Sequence, residues 1–343
     1  MDQQPTSSSL GVFGNLPADL LSGICTHLQI SDVITVGRLD DHLGRLVNAR
    51  IYKEIKAIRV EIVESHSAIH FVFKDGRVTQ LSLDQVDWED VVKSGNCIDS
   101  VDLEISPEKS SSQLFQTLRR APFSLKNLKI KILDGSDKIA QRVRQLHKRC
   151  IDLVAQHKRS LLHLEASTAD EQHVAVTLKR DGSSMRLNYE QATEPKPSEQ
   201  MKQSTNHQFI YSLFHELLED RCTPNVTLEI GNKFDANLAL QKAFQIAIPY
   251  KRRKSLVRLT IEFGNSLKAV TEEEMKKVLL RHVDEFHFTT PNLQHFHCSL
   301  PHDEIDLDQE FLSLLNEPVR KSRKSPTSMP YNSTISLRIV KCK

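Results

Sequence analysis

The feature that most constrains the fold lies near the N-terminus, where apolar residues follow a helical period in short pieces. The first predicted helix carries them along one side, at Leu20, Leu21, Ile24 and Leu28. A second short apolar helix follows, and a third is predicted from Leu39, Leu43, Leu46 and Val47. Three short helices within about 40 residues bury too little apolar surface to fold as an independent domain. The segment is therefore expected to be a docking element, completed by a partner or by the rest of the chain.

This segment resembles the F-box, the adaptor-binding module of SCF-type ubiquitin ligases. The matching residues are Leu16-Pro17, Leu20-Leu21-x-x-Ile24, Leu28, Asp32-Val33, and Arg38-Leu39 leading to Leu43-x-x-Leu46-Val47. Proline suits the first turn of a helix, where no backbone N–H donor is needed. The chain departs from the family at Leu39-Asp40-Asp41, where the family usually has Val-Cys/Ser-Lys/Arg. The alternative is a helical cap that only covers the next domain.

The resemblance implies a non-catalytic subunit that binds the ligase adaptor, and through it the cullin scaffold, and recruits a protein substrate. The positions that match the adaptor-facing or core pattern of the family are Leu16, Pro17, Leu20, Ile24, Leu28, Val33, Ile34 and Leu39. The favoured contacts among them are Leu16, Pro17, Leu28 and Ile34, because so small a module cannot hide every apolar side chain. The competing hypothesis is a protein-interaction scaffold without a ligase.

Beyond the helical segment the apolar residues alternate with polar ones, which is typical of strands. The runs 69–73 and 78–83 flank an Asp75-Gly76 turn, and this combination predicts a β-hairpin. The runs 173–178 and 185–189 flank Asp181-Gly182 in the same way and predict a second hairpin. The remaining predicted strands are 57–62, 101–105, 125–132, 161–165, 226–230, 256–263, 293–298 and 335–340. Amphipathic helices are predicted at 139–153, 209–218, 234–247, 272–283 and 307–315.

The strand midpoints recur about every 25–37 residues, a spacing that favours repeated strand–helix units. The predicted fold class is therefore α/β: an N-terminal three-helix F-box and then an irregular leucine-rich-repeat-like stack. A single mixed α/β sheet is the alternative. This order resembles the divergent F-box families of nematodes. The expected organisation is a disordered lead (1–12), an F-box-like helical module (13–55) and a repeat-like substrate-recognition domain (56–343), with polar loops at 191–205 and 317–330.

Composition argues against several other classes of protein. The 46 basic and 44 acidic residues nearly cancel, so the net charge gives no field that favours nucleic acid or a membrane. The sequence contains no apolar stretch of about 20 residues and no secretory signal. The six cysteines are dispersed, which suits reduced thiols in a cytoplasmic or nuclear protein. The basic clusters are expected to be solvated surface: 251–254, 320–324, and the helix face of Arg142, Arg144, Lys148 and Arg149. A salt-sensitive nucleic-acid binder is the third hypothesis.

The sequence offers no arrangement of residues for catalysis. It contains no Gly-x-Gly-x-x-Gly, no Walker loop, no Gly-x-Ser-x-Gly and no His-Glu-x-x-His. The strongest metal candidate is the patch of His282, His287, His295, His297 and Cys298. Successive residues of a strand point to opposite faces, so Cys298 cannot share one ion with both strand histidines without a bulge. We therefore expect no catalytic residues, no cofactor and no metal.

Overall fold

The computed structural model divides the chain into two compact units, Met1–Lys129 (unit 1) and Ile130–Lys343 (unit 2). The described chain is mixed α/β, as predicted, and its strands belong to one mixed sheet, the alternative that the sequence left open. The domain boundary predicted between residues 55 and 56 stays a prediction. The structure describes residues 16–28, 30–37, 52–63, 65–83, 86, 88–93, 98–109, 112–120, 125–133, 140–169, 174–191, 200–218, 223–230, 256–263, 273, 277, 295–299 and 334–335.

Unit 1 combines short helices with a mixed sheet. Its helices are α1 (Ala18–His27), α2 (Ile30–Gly37), α3 (Trp88–Lys93) and α4 (Ser112–Arg120). Its strands are β1 (Ile55–Ile62), β2 (Ser67–Phe73), β3 (Val78–Ser82) and β4 (Ser100–Ile105), while β5 (Asn127–Ile132) spans the boundary between the units. Strand β1 pairs antiparallel with β2 and parallel with β4, and β2 pairs antiparallel with β3. The order within unit 1 is therefore β4-β1-β2-β3.

The first hairpin forms because its turn residues suit a tight reversal. Gly76 has a φ of 87°, in the left-handed region that glycine enters without a steric penalty. The Asp75 carboxylate accepts a hydrogen bond of 3.0 Å from the backbone N–H of Arg77. The hydrogen bonds to Arg77 hold the pKa of Asp75 below its ordinary value. Strand β2 buries Ile69, Phe71 and Phe73 on one face, and the Phe71 ring meets Tyr52 edge-on with 6.0 Å between ring centroids.

Unit 2 contains two long helices and a mixed sheet. The helices are α5 (Ala140–His157) and α6 (Gln200–Leu218). The strands are β6 (His163–Thr168), β7 (Val174–Asp181), β8 (Ser184–Gln191), β9 (Asn225–Ile230), β10 (Arg258–Phe263), β11 (His295–Ser299) and β12 (Thr334–Ile335). Strands β6, β7 and β8 are antiparallel neighbours, and β8 to β12 are parallel, each beside the next in chain order. Gly182, with a φ of 51°, turns the predicted second hairpin between β7 and β8.

The core of unit 2 lies where α5 and α6 pack together and α6 meets the sheet. His147 of α5 stacks on Phe209 of α6 with 4.4 Å between ring centroids. Phe214 of α6 lies 5.9 Å from the ring of Tyr189 on β8, and both side chains are buried. The face of β8 that carries Tyr189 is therefore buried against α6.

One predicted loop is wrong in part. Helix α6 begins at Gln200, so residues 200–205 are helical where the sequence predicted a polar loop over 191–205. The apolar stripe that identifies this helix starts only at Phe209. The polar residues before it carry no helical period, although Gln, Met and Lys are good helix formers.

Other sequence predictions fall on residues that the structure does not describe. These are the lead, the third helix of the F-box-like module, the helices at 234–247 and 307–315, and the loop at 317–330. In the described ranges, no helix is long and apolar enough to cross a membrane.

Candidate protein-docking surfaces

Helix α1 presents apolar side chains to solvent. Leu20 is 57% exposed and Ile24 is 41% exposed, and the two lie one helical turn apart on the same face. Gly23 lies beside them, and a Cβ added there would meet no atom within 4 Å. The open strip of Leu20, Gly23 and Ile24 is called the α1 face below.

The start of α1 follows from its sequence. Pro17 precedes the first turn in an extended conformation, with φ −55° and ψ 143°, and its carbonyl accepts a 3.0 Å hydrogen bond from Leu20 N–H. Asp19 lies in the first turn and His27 in the last, which suits the helix dipole. The local sequence therefore accounts for where α1 begins, and Leu20 and Ile24 stay exposed on the helix.

The other predicted adaptor positions differ in exposure. Pro17 is exposed, while Leu16 and Leu28 are half-buried. Val33 is buried on α2, which packs against β3 in the same unit. Ile34 lies on α2, but its side chain is outside the described part of the chain, and so is the whole of Leu39. Leu20 and Ile24 thus lie on α1, with Leu16 and Pro17 before its start and Leu28 after its end.

A second candidate surface is the polar face of the sheet in unit 2. Residues paired on neighbouring strands share a face and lie about 4.8 Å apart. One row across the strands contains His163, Lys179, Arg186, Thr227 and Thr260, and the next contains Glu165, Thr177, Asn188, Glu229 and Glu262. All ten side chains are exposed or half-buried. We call these two rows the polar sheet face. The first row carries basic side chains, and the second row, beside it, carries acidic ones.

Three side chains of the polar sheet face form a charged cluster. The Arg186 Nη1 lies 2.6 Å from Glu229 Oε1, and its Nη2 lies 3.7 Å from Glu262 Oε2. The pKa of Glu229 is nevertheless raised, chiefly because partial burial removes water from the carboxylate. Arg186 acts in the opposite direction, and the neighbouring Glu262 raises the pKa further. Desolvation and repulsion therefore outweigh the ion pair at this carboxylate.

This cluster gives a pH-dependent prediction. The pKa of Glu229 is higher in the folded protein than in the unfolded one, so the folded protein binds more protons at pH values between the two. The free energy of unfolding therefore falls as the pH rises from the unfolded pKa to the folded pKa. Glu229→Gln removes this titration. We expect the stability of the variant relative to the wild type to increase as the pH rises above the ordinary pKa of a glutamate, measured by urea unfolding at each pH. A flat or opposite trend would contradict the assignment.

This charged cluster was not predicted from the sequence. Arg186 and Glu229 are 43 residues apart, so only the register of the strands joins them. Within the described ranges, no group of three side chains could hold a metal ion. His295, His297 and Cys298 lie on β11, but their side chains are outside the described part. Residues 251–254 and 320–324 are also outside it, whereas the basic helix face lies on α5.

The buried thiol of α5 is not suited to chemistry. Cys150 is fully buried, and burial raises the pKa of its thiol well above the ordinary value. The side chain therefore stays protonated at neutral pH and acts as a small apolar core residue.

Comparison with known proteins found no family. Models of protein families do not match the chain. No curated protein matches it either. A function is therefore inferred from the residues and the two surfaces described above.

Proposed function

We propose that the chain is a non-catalytic substrate receptor of an SCF-type ubiquitin ligase. The supporting observation is the α1 face, where Leu20 and Ile24 remain open to solvent within the segment that resembles an F-box. The adaptor subunit of the ligase would cover these side chains together with Pro17, Leu16 and Leu28.

The free energy that Leu20 and Ile24 would contribute to adaptor binding can be estimated from their exposed area. Burying a Leu or Ile side chain completely contributes about 1.5–3 kcal/mol, and roughly half of each side chain remains to be buried. Together, Leu20 and Ile24 would contribute about 1.5–3 kcal/mol, which is roughly a 10–150-fold effect on affinity. An aspartate at either position would add the cost of burying a charge without a partner. We therefore expect a double aspartate variant to lose at least about 100-fold in affinity.

Substrate recruitment is assigned to unit 2 in this proposal. The parallel strands β8 to β12 follow one another in chain order, and α6 connects β8 to β9. That order is the support for an irregular leucine-rich-repeat-like stack in unit 2, and the three-helix F-box before it stays part of the proposal. The polar sheet face would contact the protein substrate. Holding the substrate near a ubiquitin-loaded enzyme raises its effective concentration without a catalytic group on this chain.

The test is adaptor binding by the full chain and by a charge-matched pair of variants. Leu20→Asp/Ile24→Asp changes the α1 face. Val78→Asp/Leu162→Asp is the control, because these side chains are 59% and 40% exposed and lie elsewhere. Binding of immobilised recombinant adaptor should be lost in the first variant and retained in the control.

Two outcomes would contradict the proposal. One is an absence of adaptor binding by the wild-type chain, which would favour the interaction scaffold without a ligase. The other is equal binding by both double variants, which would show that the adaptor contacts a part of the chain other than α1. Circular dichroism of both variants shows whether each retains its secondary structure.

A further inference from the structure

Strand β3 lies at the edge of the sheet in unit 1. It pairs antiparallel with β2, and within the described ranges no second strand pairs with it. The turn fixes which residues of β3 bond to β2, since Phe73 donates its N–H to the carbonyl of Arg77 at 2.9 Å. Hydrogen-bonded and non-hydrogen-bonded pairs alternate along an antiparallel ladder. Thr79 and Leu81 therefore carry the next bonds to β2.

The other backbone groups of β3 point away from the sheet. Val78 and Gln80 direct their N–H and C=O groups to the open side of the strand, and no hydrogen bond to these groups is found within the described part of the chain. The side chains of both residues are exposed. Val78, at 59%, is slightly more exposed than Leu20 of the α1 face. We call Val78 and Gln80 the β3 edge.

The β3 edge lacks the features that usually prevent an edge strand from pairing. Proteins protect such edges with lysine, proline, a bulge or an inward-pointing charge. The five residues of β3 include no charged residue and no proline. The register of β3 with β2 also runs without a break. An open edge of this kind suits the addition of a further strand.

The side chains beside the β3 edge favour a particular chemistry in the added strand. Val78 pairs with Val72 of β2, and Val72 pairs with Ala57 of β1, so an apolar row reaches the edge across three strands. Val72 and Ala57 are half-buried, which leaves this row partly open. The neighbouring row at the edge is polar, because Gln80 pairs with His70. The added strand would therefore carry an apolar residue beside Val78 and a polar residue beside Gln80.

We propose that the β3 edge binds an extended segment of a protein partner as an added strand, with an apolar β-branched residue beside Val78. Hydrogen bonds between the two backbones would hold the segment, and its alternate side chains would give specificity. A second copy of this chain fits the edge less well. The five residues of β3 span about 17 Å, and a strip of that length and one strand wide is far smaller than the roughly 800 Å² per partner of a stable dimer. The inference goes beyond adaptor binding and does not depend on it.

The test measures binding of a fluorescein-labelled peptide, Ser-Val-Thr-Thr-Val-Ser, to the full chain by fluorescence polarisation. Its sequence reads the same in both directions, so it can pair parallel or antiparallel with β3. Gln80→Pro removes one outward N–H and leaves the ladder bonds of Thr79 and Leu81 in place. We expect a loss of affinity of at least about tenfold in this variant. The matched control is Gln80→Ala, which keeps the N–H and should stay within about threefold of the wild type.

Hydrogen exchange resolved by residue tests the geometry on the wild-type chain and needs no variant. In the free chain, the amides of Thr79 and Leu81 should be protected, and those of Val78 and Gln80 should exchange rapidly. Saturation with the peptide should slow exchange at Val78 and Gln80 by at least about tenfold. The same measurement shows whether Gln80→Pro keeps the hairpin, because Thr79 and Leu81 should then stay protected.

Four results would overturn the inference. The first is no peptide binding by the wild type, and the second is equal affinity of Gln80→Pro and Gln80→Ala. The third is strong protection of the Val78 and Gln80 amides in the free chain, which would mean that the chain itself covers the edge. The fourth is a wild-type dimer that Gln80→Pro separates into monomers, which would assign the edge to a second copy. Adaptor binding should be unchanged in Gln80→Pro, so the inference and the ligase proposal can fail separately.

Discussion

Replacing Phe214 with alanine is expected to lower the free energy of unfolding of unit 2 by about 3–5 kcal/mol. Phe214 is fully buried on α6 and lies against Tyr189 of β8. Its loss removes a large apolar surface and leaves a cavity that the surrounding side chains fill only in part. The aromatic contact adds about 0.5–1.5 kcal/mol beyond the buried area.

Urea unfolding of the full chain, with hydrogen exchange at the amides of β7, β8 and α6, measures this loss. Gln208→Ala is the matched control, since Gln208 is an exposed residue on the same helix. Its effect should stay within about 0.5 kcal/mol. A loss below about 1 kcal/mol for Phe214→Ala would contradict the placement of α6 on the sheet.

The equivalent prediction for unit 1 concerns Phe71. Phe71→Ala should cost about 3–5 kcal/mol, because the ring is fully buried on β2 and meets Tyr52 edge-on. Hydrogen exchange at the amides of β1 and β2 should become faster, and the urea midpoint should fall. Gln80→Ala, an exposed change on the adjacent β3, is the control and should have little effect. Protection of β1 and β2 that matches the wild type in Phe71→Ala would contradict this core.

Local signals predicted much of the fold. Both hairpins were predicted because an Asp-Gly turn between alternating runs needs only neighbouring residues. Strand β4 and helix α5 were predicted from their apolar periods, and the structure begins each within one residue of the predicted start. The N-terminal part of α6 was missed, because its polar residues carry no period and the helix extends beyond its buried stripe.

The surfaces were harder to predict than the elements. The sequence identified Leu20 and Ile24 as members of an apolar helix side, but only packing decides which members of such a side stay open. Pairing between strands distant in sequence also determines the partners of a surface charge. Arg186 meets Glu229 and Glu262 because β8, β9 and β10 align in parallel, and no short-range pattern contains that register.

The strictly consecutive pairing of β8 to β12 has a consequence for how such a chain could change in length. Among the described strands of this array, each pairs only with its predecessor and successor. Duplicating one strand with its connecting segment would widen the array by roughly 4.8 Å and would replace only one existing strand pairing. Such a sheet could therefore grow by one strand at a time while its first and last strands stay unchanged.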